Sequence, residues 1–191
     1  MIPIIHRVND IRGLIRTPPQ YGVEVDLRQN GREVILQHEA FAKGESFKAY
    51  LKHFRHRFII LNIKSDGIET QVLHLLRQRK IRAYFLLDLA FPRLVLLARQ
   101  GERRLAVRLS EFESVETCLS LRGKARWIWV DCFKRFPLTQ KMHDRLFRHF
   151  KICLVSPELQ GHPLRQIAPL RRKIKGMQIA AVCTDHPELW A

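Results

Sequence analysis

Cysteine is scarce and scattered in this chain. Cys118, Cys132, Cys153 and Cys183 form no CxxC pair, which argues against a zinc site or a disulfide framework and favours reduced, cytoplasmic thiols. Long apolar runs are missing too: none reaches the roughly 18 residues a membrane span needs. The opening Met1-Ile2-Pro3-Ile4-Ile5-His6-Arg7 has no basic stretch ahead of an apolar one, so no signal peptide is expected. No Gly-x-Gly-x-x-Gly turn marks a doubly wound dinucleotide-binding sheet. Repeats, low-complexity runs and linker-like stretches are absent, as expected for one domain over residues 1–191. Acidic residues are also few. There are 18 Asp and Glu against 34 Lys and Arg, a formal charge of +16, which favours anionic partners without choosing among them.

What is present is an alternation of short apolar runs with helical stripes. Runs at 2–6, 22–27, 57–63, 83–88, 104–109, 127–132, 151–155 and 177–183 read as strands, each bounded by turn or charged residues. Between them, Phe47, Tyr50, Leu51 and Phe54 follow helical spacing, as do Met142, Leu146 and Phe150, and Leu164, Ile167, Leu170 and Ile174. The first connection, Asp10 to Gln20, ends in Pro18-Pro19 and leaves room for only a short helix. Eight strand–helix units predict an α/β fold, a single small (β/α)8 TIM-type barrel, with an open doubly wound sheet as the alternative. Asn30-Gly31, between the second strand and the extended run 33–38, predicts a β-hairpin after strand 2 that brings His38 towards the strand's end.

In such a barrel the chemistry sits at the C-terminal ends of strands. Here those ends carry His6-Arg7, Glu24-Val25-Asp26, Asn62-Ile63-Lys64, Asp88, Arg108, Asp131 and Thr184-Asp185. Strand side chains alternate, so Glu24 and Asp26 share a face, as do Asn62 and Lys64. Carboxylates facing a barrel axis need partners or a metal. Two adjacent ones suit a hard divalent cation, Mg²⁺ or Ca²⁺.

The order of these groups resembles the glycerophosphodiester phosphodiesterase family, within the phosphatidylinositol-phospholipase-C-like barrels. The resemblance rests on His6-Arg7 closing strand one, Glu24-Val25-Asp26 on strand two, His38-Glu39 after the hairpin, Asn62-Ile63-Lys64 closing strand three, and Thr184-Asp185-His186-Pro187 near the end. It covers the whole chain, and the first 64 residues carry most of it. The chain departs from the family pattern in three places. Val8 replaces a Gly, Glu39 replaces an Asp, and Asn62 replaces a third metal-binding Glu.

The resemblance implies a metal-dependent phosphodiesterase acting on glycerophosphodiesters or a related small phosphodiester. Glu24 and Asp26, with Asn62 as a weaker third ligand, would hold one cation. Arg7 and Lys64 would bind the phosphate, and His6 and His38 would serve as general acid and base. In the family a neighbouring glycerol hydroxyl attacks first, and water then opens a cyclic phosphate. Arg108 is added as a second phosphate contact. Asn62 points to an alternative, a catalytically weak barrel that binds a phosphorylated ligand. A nucleic-acid-binding role is disfavoured, because the basic clusters at 77–80, 145–151 and 171–173 match no recognition motif. Loose contact with an anionic membrane remains an alternative use of the same clusters.

Overall fold

The computed structural model describes residues 1–190. In chain order the elements begin β1 (Ile2–Ile5), α1 (Ile11–Arg16), β2 (Gly22–Asn30), β3 (Glu33–Leu36), β4 (Glu45–Ser46), α2 (Phe47–His53), β5 (Phe58–Ile63), α3 (Glu69–Gln78), β6 (Tyr84–Leu87) and α4 (Phe91–Arg99). They continue as β7 (Ala106–Leu109), α5 (Val115–Ser120), β8 (Trp127–Val130), α6 (Gln140–Leu146), β9 (Lys151–Val155), α7 (Ile167–Lys173) and β10 (Ala181–Thr184). Strands occupy all eight expected segments. The last begins at Ala181 rather than 177, because the Gln178 N–H is spent on His143 Nε2 at 2.8 Å instead of on a ladder. No helix among the described residues is long and apolar enough to cross a membrane.

The chain forms two compact units, and the division falls within α4. One unit runs from Ile5 to Leu94. Its strands lie in the order β4-β3-β2-β5-β6. β2 runs antiparallel to β3, with Asn30 opposite Glu33 and Leu27 opposite Leu36. Gly31 takes the turn between them at φ +60, a conformation open to glycine. On its other edge β2 runs parallel to β5, with Glu24 opposite Ile60 and Asp26 opposite Asn62. β5 pairs in parallel with β6. Val23, Val25, Leu27, Ile59, Ile60 and Leu61 are buried. Burial on both faces is what near-continuous apolar strands of a parallel sheet require.

The other unit comprises Met1–Ile4 and the chain from Val95 onward. Its strands lie in the order β1-β10-β9-β8-β7, and β7–β8, β8–β9 and β9–β10 are parallel. Two of its short helices, α5 and α6, begin at side-chain caps: Ser114 accepts from the Thr117 N–H at 3.2 Å, and Thr139 from the Met142 N–H at 3.2 Å. The apolar stripe at 164–174 becomes a 3-10 turn, Leu164–Gln166, running into α7, with Ile167 and Leu170 buried.

Candidate functional site

All of the sequence-predicted site residues except Arg108 lie in the Ile5–Leu94 unit. Glu24 and Asp26 sit one pleat apart on β2, and both are almost fully buried. The parallel register sets Asn62 beside Asp26, and its amide N–H donates to Glu24 Oε1 at 3.0 Å. The other Glu24 oxygen, Oε2, accepts the main-chain N–H of Arg7 at 2.9 Å. Arg7 can aim that N–H because its backbone is left-handed, at φ +51. A non-glycine residue held there marks strain paid for by its surroundings. Burial raises the Glu24 carboxyl above its ordinary pKa, and Asp26 adds in the same direction. His6 is near enough for its charge to oppose them, as do the hydrogen bonds from Arg7 and Asn62.

Asp26 is held on several sides. Asn9 makes a reciprocal pair with it: Asn9 Nδ2 donates to Asp26 Oδ2, and the Asp26 N–H donates to Asn9 Oδ1, each at 2.9 Å. Lys64 Nζ stands 3.6 Å from Asp26 Oδ1 and donates to Asp88 Oδ2 at 3.3 Å. Arg7 Nε is 3.9 Å from Asp26 Oδ2. Two cations thus stand against the buried Asp26.

His38 lies beyond β3, in the segment leading to β4. Arg7 Nη2 meets His38 Nε2 at 2.7 Å, and His38 Nδ1 meets Glu39 Oε1 at 2.6 Å. Arginine can only donate, so Nε2 is the acceptor and the neutral ring carries its proton on Nδ1, directed at Glu39. The hydrogen bond from His38 holds the Glu39 carboxyl below its ordinary range.

A hard, oxygen-seeking cation fits this donor set. Asp26 Oδ1 and Asn62 Oδ1 are buried acceptors without a hydrogen-bond partner, and such orphans in a polar site call for an ion or water. The set has two carboxylates and one amide. Among the described residues no three His, Cys, Asp or Glu side chains group as metal ligands. Asn62 therefore contributes an oxygen but no charge.

Arg108 belongs to the other unit. Its Nη1 pairs with the fully buried Asp131, and its Nε lies 3.6 Å from Glu113. Trp129 Nε1 and Gln160 Nε2 also donate to Asp131, at 3.1 and 2.7 Å. Sequence reasoning passed over Asn9 and Arg28, whose partners are distant in the chain. For Arg28 a signal existed: it lies two residues beyond Asp26 on the same strand, and so on the same face.

Similarity to known proteins falls on the fold. No family model matches the sequence, and no curated protein is significantly similar to it. Among solved structures, the chain shares its fold with glycerophosphodiester phosphodiesterases, the family its motifs resemble. A glycerophosphodiester phosphodiesterase from Agrobacterium tumefaciens strain C58 superposes with a TM-score of 0.72 at 14% identity, covering 100% of this chain and 99% of that one. A glycerophosphoryl diester phosphodiesterase from Parabacteroides distasonis gives 0.68 at 10% identity, covering 98% and 84%.

Proposed function

We propose that this protein is a metal-dependent phosphodiesterase acting on glycerophosphodiesters or a related small phosphodiester, built on a (β/α)8 barrel spanning 1–191. One observation carries the proposal. Two imidazoles, two cations, a buried carboxylate pair and two orphaned oxygens, Asp26 Oδ1 and Asn62 Oδ1, lie in one unit, on a fold shared with such enzymes. Glu24, Asp26 and Asn62 would hold Mg²⁺ or Ca²⁺. Bound there, the cation supplies charge to oppose what builds on the phosphoryl oxygens.

The remaining work falls to the chain's own groups. Arg7 and Lys64 bind and orient the phosphate. Arg7 leaves His38 Nε2 to do so, which frees that nitrogen to take a proton from the attacking hydroxyl. Glu39 keeps the His38 tautomer correct and stabilises the imidazolium that follows. His6 takes the complementary role of protonating the leaving alkoxide. Arg108, expected from the sequence as a second phosphate contact, is paired with Asp131 in the other unit and is given no part in this site.

The test is turnover of a glycerophosphodiester panel with Mg²⁺ or Ca²⁺ present. We expect a phosphomonoester or cyclic product whose release stops with a chelator and in both His6→Ala and His38→Ala. Unchanged turnover in both variants would end the proposal.

The charge count favours a second reading. Arg7 and Lys64 both already stand against Asp26, and Asn62 adds no negative charge, which suits a weakly catalytic barrel that binds a phosphorylated ligand. If Asn62→Glu raises metal affinity and rate sharply, the native protein is the weak form.

A further inference from the structure

Arg28 stands on β2 between two strand extensions. On one side β3 ends at Leu36 and the chain continues through Gln37 to His38; on the other β5 ends at Ile63 and continues to Lys64. The last main-chain bonds that tie these extensions to β2 are Gln37 N–H to Asp26 O and Lys64 N–H to Leu27 O, both at 2.9 Å. The carbonyls of His38 and Lys64 lie past them. Arg28 takes both. Its Nε and Nη2 donate to His38 O at 2.9 and 2.7 Å, and its Nη1 donates to Lys64 O at 2.9 Å.

Only a guanidinium does this. Its donors lie in one plane in a rigid fork, so one edge chelates one carbonyl while the other terminal nitrogen reaches a second. A lysine ammonium could keep the charge but not span both carbonyls in that geometry. Three of the five guanidinium N–H donors are committed to these two carbonyls. The two carbonyls also belong to the residues proposed as the base and as a phosphate-binding cation. They lie 26 positions apart in the sequence, and Arg28 bridges them directly.

We propose that Arg28 is a positioning residue that clamps the His38 and Lys64 peptides to β2, so that base and phosphate ligand are held at a fixed separation. The role assigned to the clamp rests on the phosphodiesterase reading; the clamp itself does not. The experiment uses the full-length protein as wild type, Arg28→Lys and Arg28→Gln. Hydrogen–deuterium exchange is followed over residues 37–44 and 64–68, together with kcat, KM and the thermal midpoint.

Both variants are expected to exchange faster in both segments at once, with the rest of the chain unchanged. kcat should fall about 10- to 100-fold, the usual scale for losing a group that orients a functional residue, with KM shifting far less. Arg28→Lys should not rescue either effect. Unchanged exchange, faster exchange in one segment only, or full recovery with lysine would overturn the clamp. A lower thermal midpoint with unchanged kcat would reduce Arg28 to a structural role and overturn positioning. If wild type shows no turnover, the phosphodiesterase reading fails, and the exchange data still decide whether Arg28 couples the two segments.

Discussion

Arg7 has no acceptor to offer His38, and that chemical fact fixes the imidazole's tautomer and gives Glu39 its task. Glu39 is 77% exposed and so adds nothing to the core. Glu39→Gln keeps an acceptor for the Nδ1 proton but removes the charge that steadies an imidazolium. We expect kcat to fall by roughly 10-fold while the thermal midpoint holds; equal turnover in the variant would show that the carboxylate does not matter. At this scale the sequence was legible where a local rule applied. Glu24 and Asp26 share a face because strands repeat every two residues, and they do share it. Asn9 was not legible, because its partner Asp26 lies 17 residues away and no local rule links them. Asn62 was recognised as a departure from a motif, but its place beside Asp26 came only with the strand register.

At the scale of elements, the site depends on how strands end. Arg7 and Asp88 both turn through positive φ, at +51 and +56, just past β1 and β6. Each turn redirects a polar group: the Arg7 N–H towards Glu24, and the Asp88 carboxylate towards Lys64. The segment from Gln37 to Gly44 brings His38 over β2 and is closed by a tight approach at Gly44. A Cβ there would lie 2.1 Å from Leu36 O, a main-chain atom that cannot swing aside. Gly44→Ala is therefore expected to lift this segment off β3 and carry His38 away from Arg7. Urea unfolding should show a loss of about 1–3 kcal/mol, the scale of overpacking, and turnover should fall further than the stability loss explains. Wild-type values for both would show that the segment has room to spare. The Asn30-Gly31 turn signal was readable, since turn chemistry is local, and β2 and β3 do run antiparallel across it. The tight contact at Gly44 was not, because its neighbour comes from another strand.

For the whole molecule, the buried thiols set an alkaline limit. Burial pushes the Cys118 thiol up to about 12 and raises Cys153 and Cys132 as well. In the unfolded chain these thiols ionise near their ordinary value of 9.0. Between that value and the folded ones the native state keeps protons that the unfolded state has lost. Stability must then fall as pH rises, and the loss is absent below the unfolded pKa. Buried Tyr50, whose hydroxyl is also raised, adds to the loss at higher pH. The urea midpoint should be flat from about pH 7 to 8 and should decline above about pH 9; a midpoint that holds or rises there would contradict the burial of these groups.

The sequence by itself determined the order of strands and helices, the apolar faces, and which polar groups stand at strand ends. Those features follow from the strand and helix periods and from turn chemistry, which act over a few residues. The fold itself is still shared at 10–14% identity. Only the tertiary structure decided that Asn62 bonds to Glu24, that Arg7 meets His38, that Lys64 stands between Asp26 and Asp88, and that Arg108 is bound to Asp131. Strand register and side-chain packing make those contacts. Both join residues far apart in the chain, where no local preference reaches.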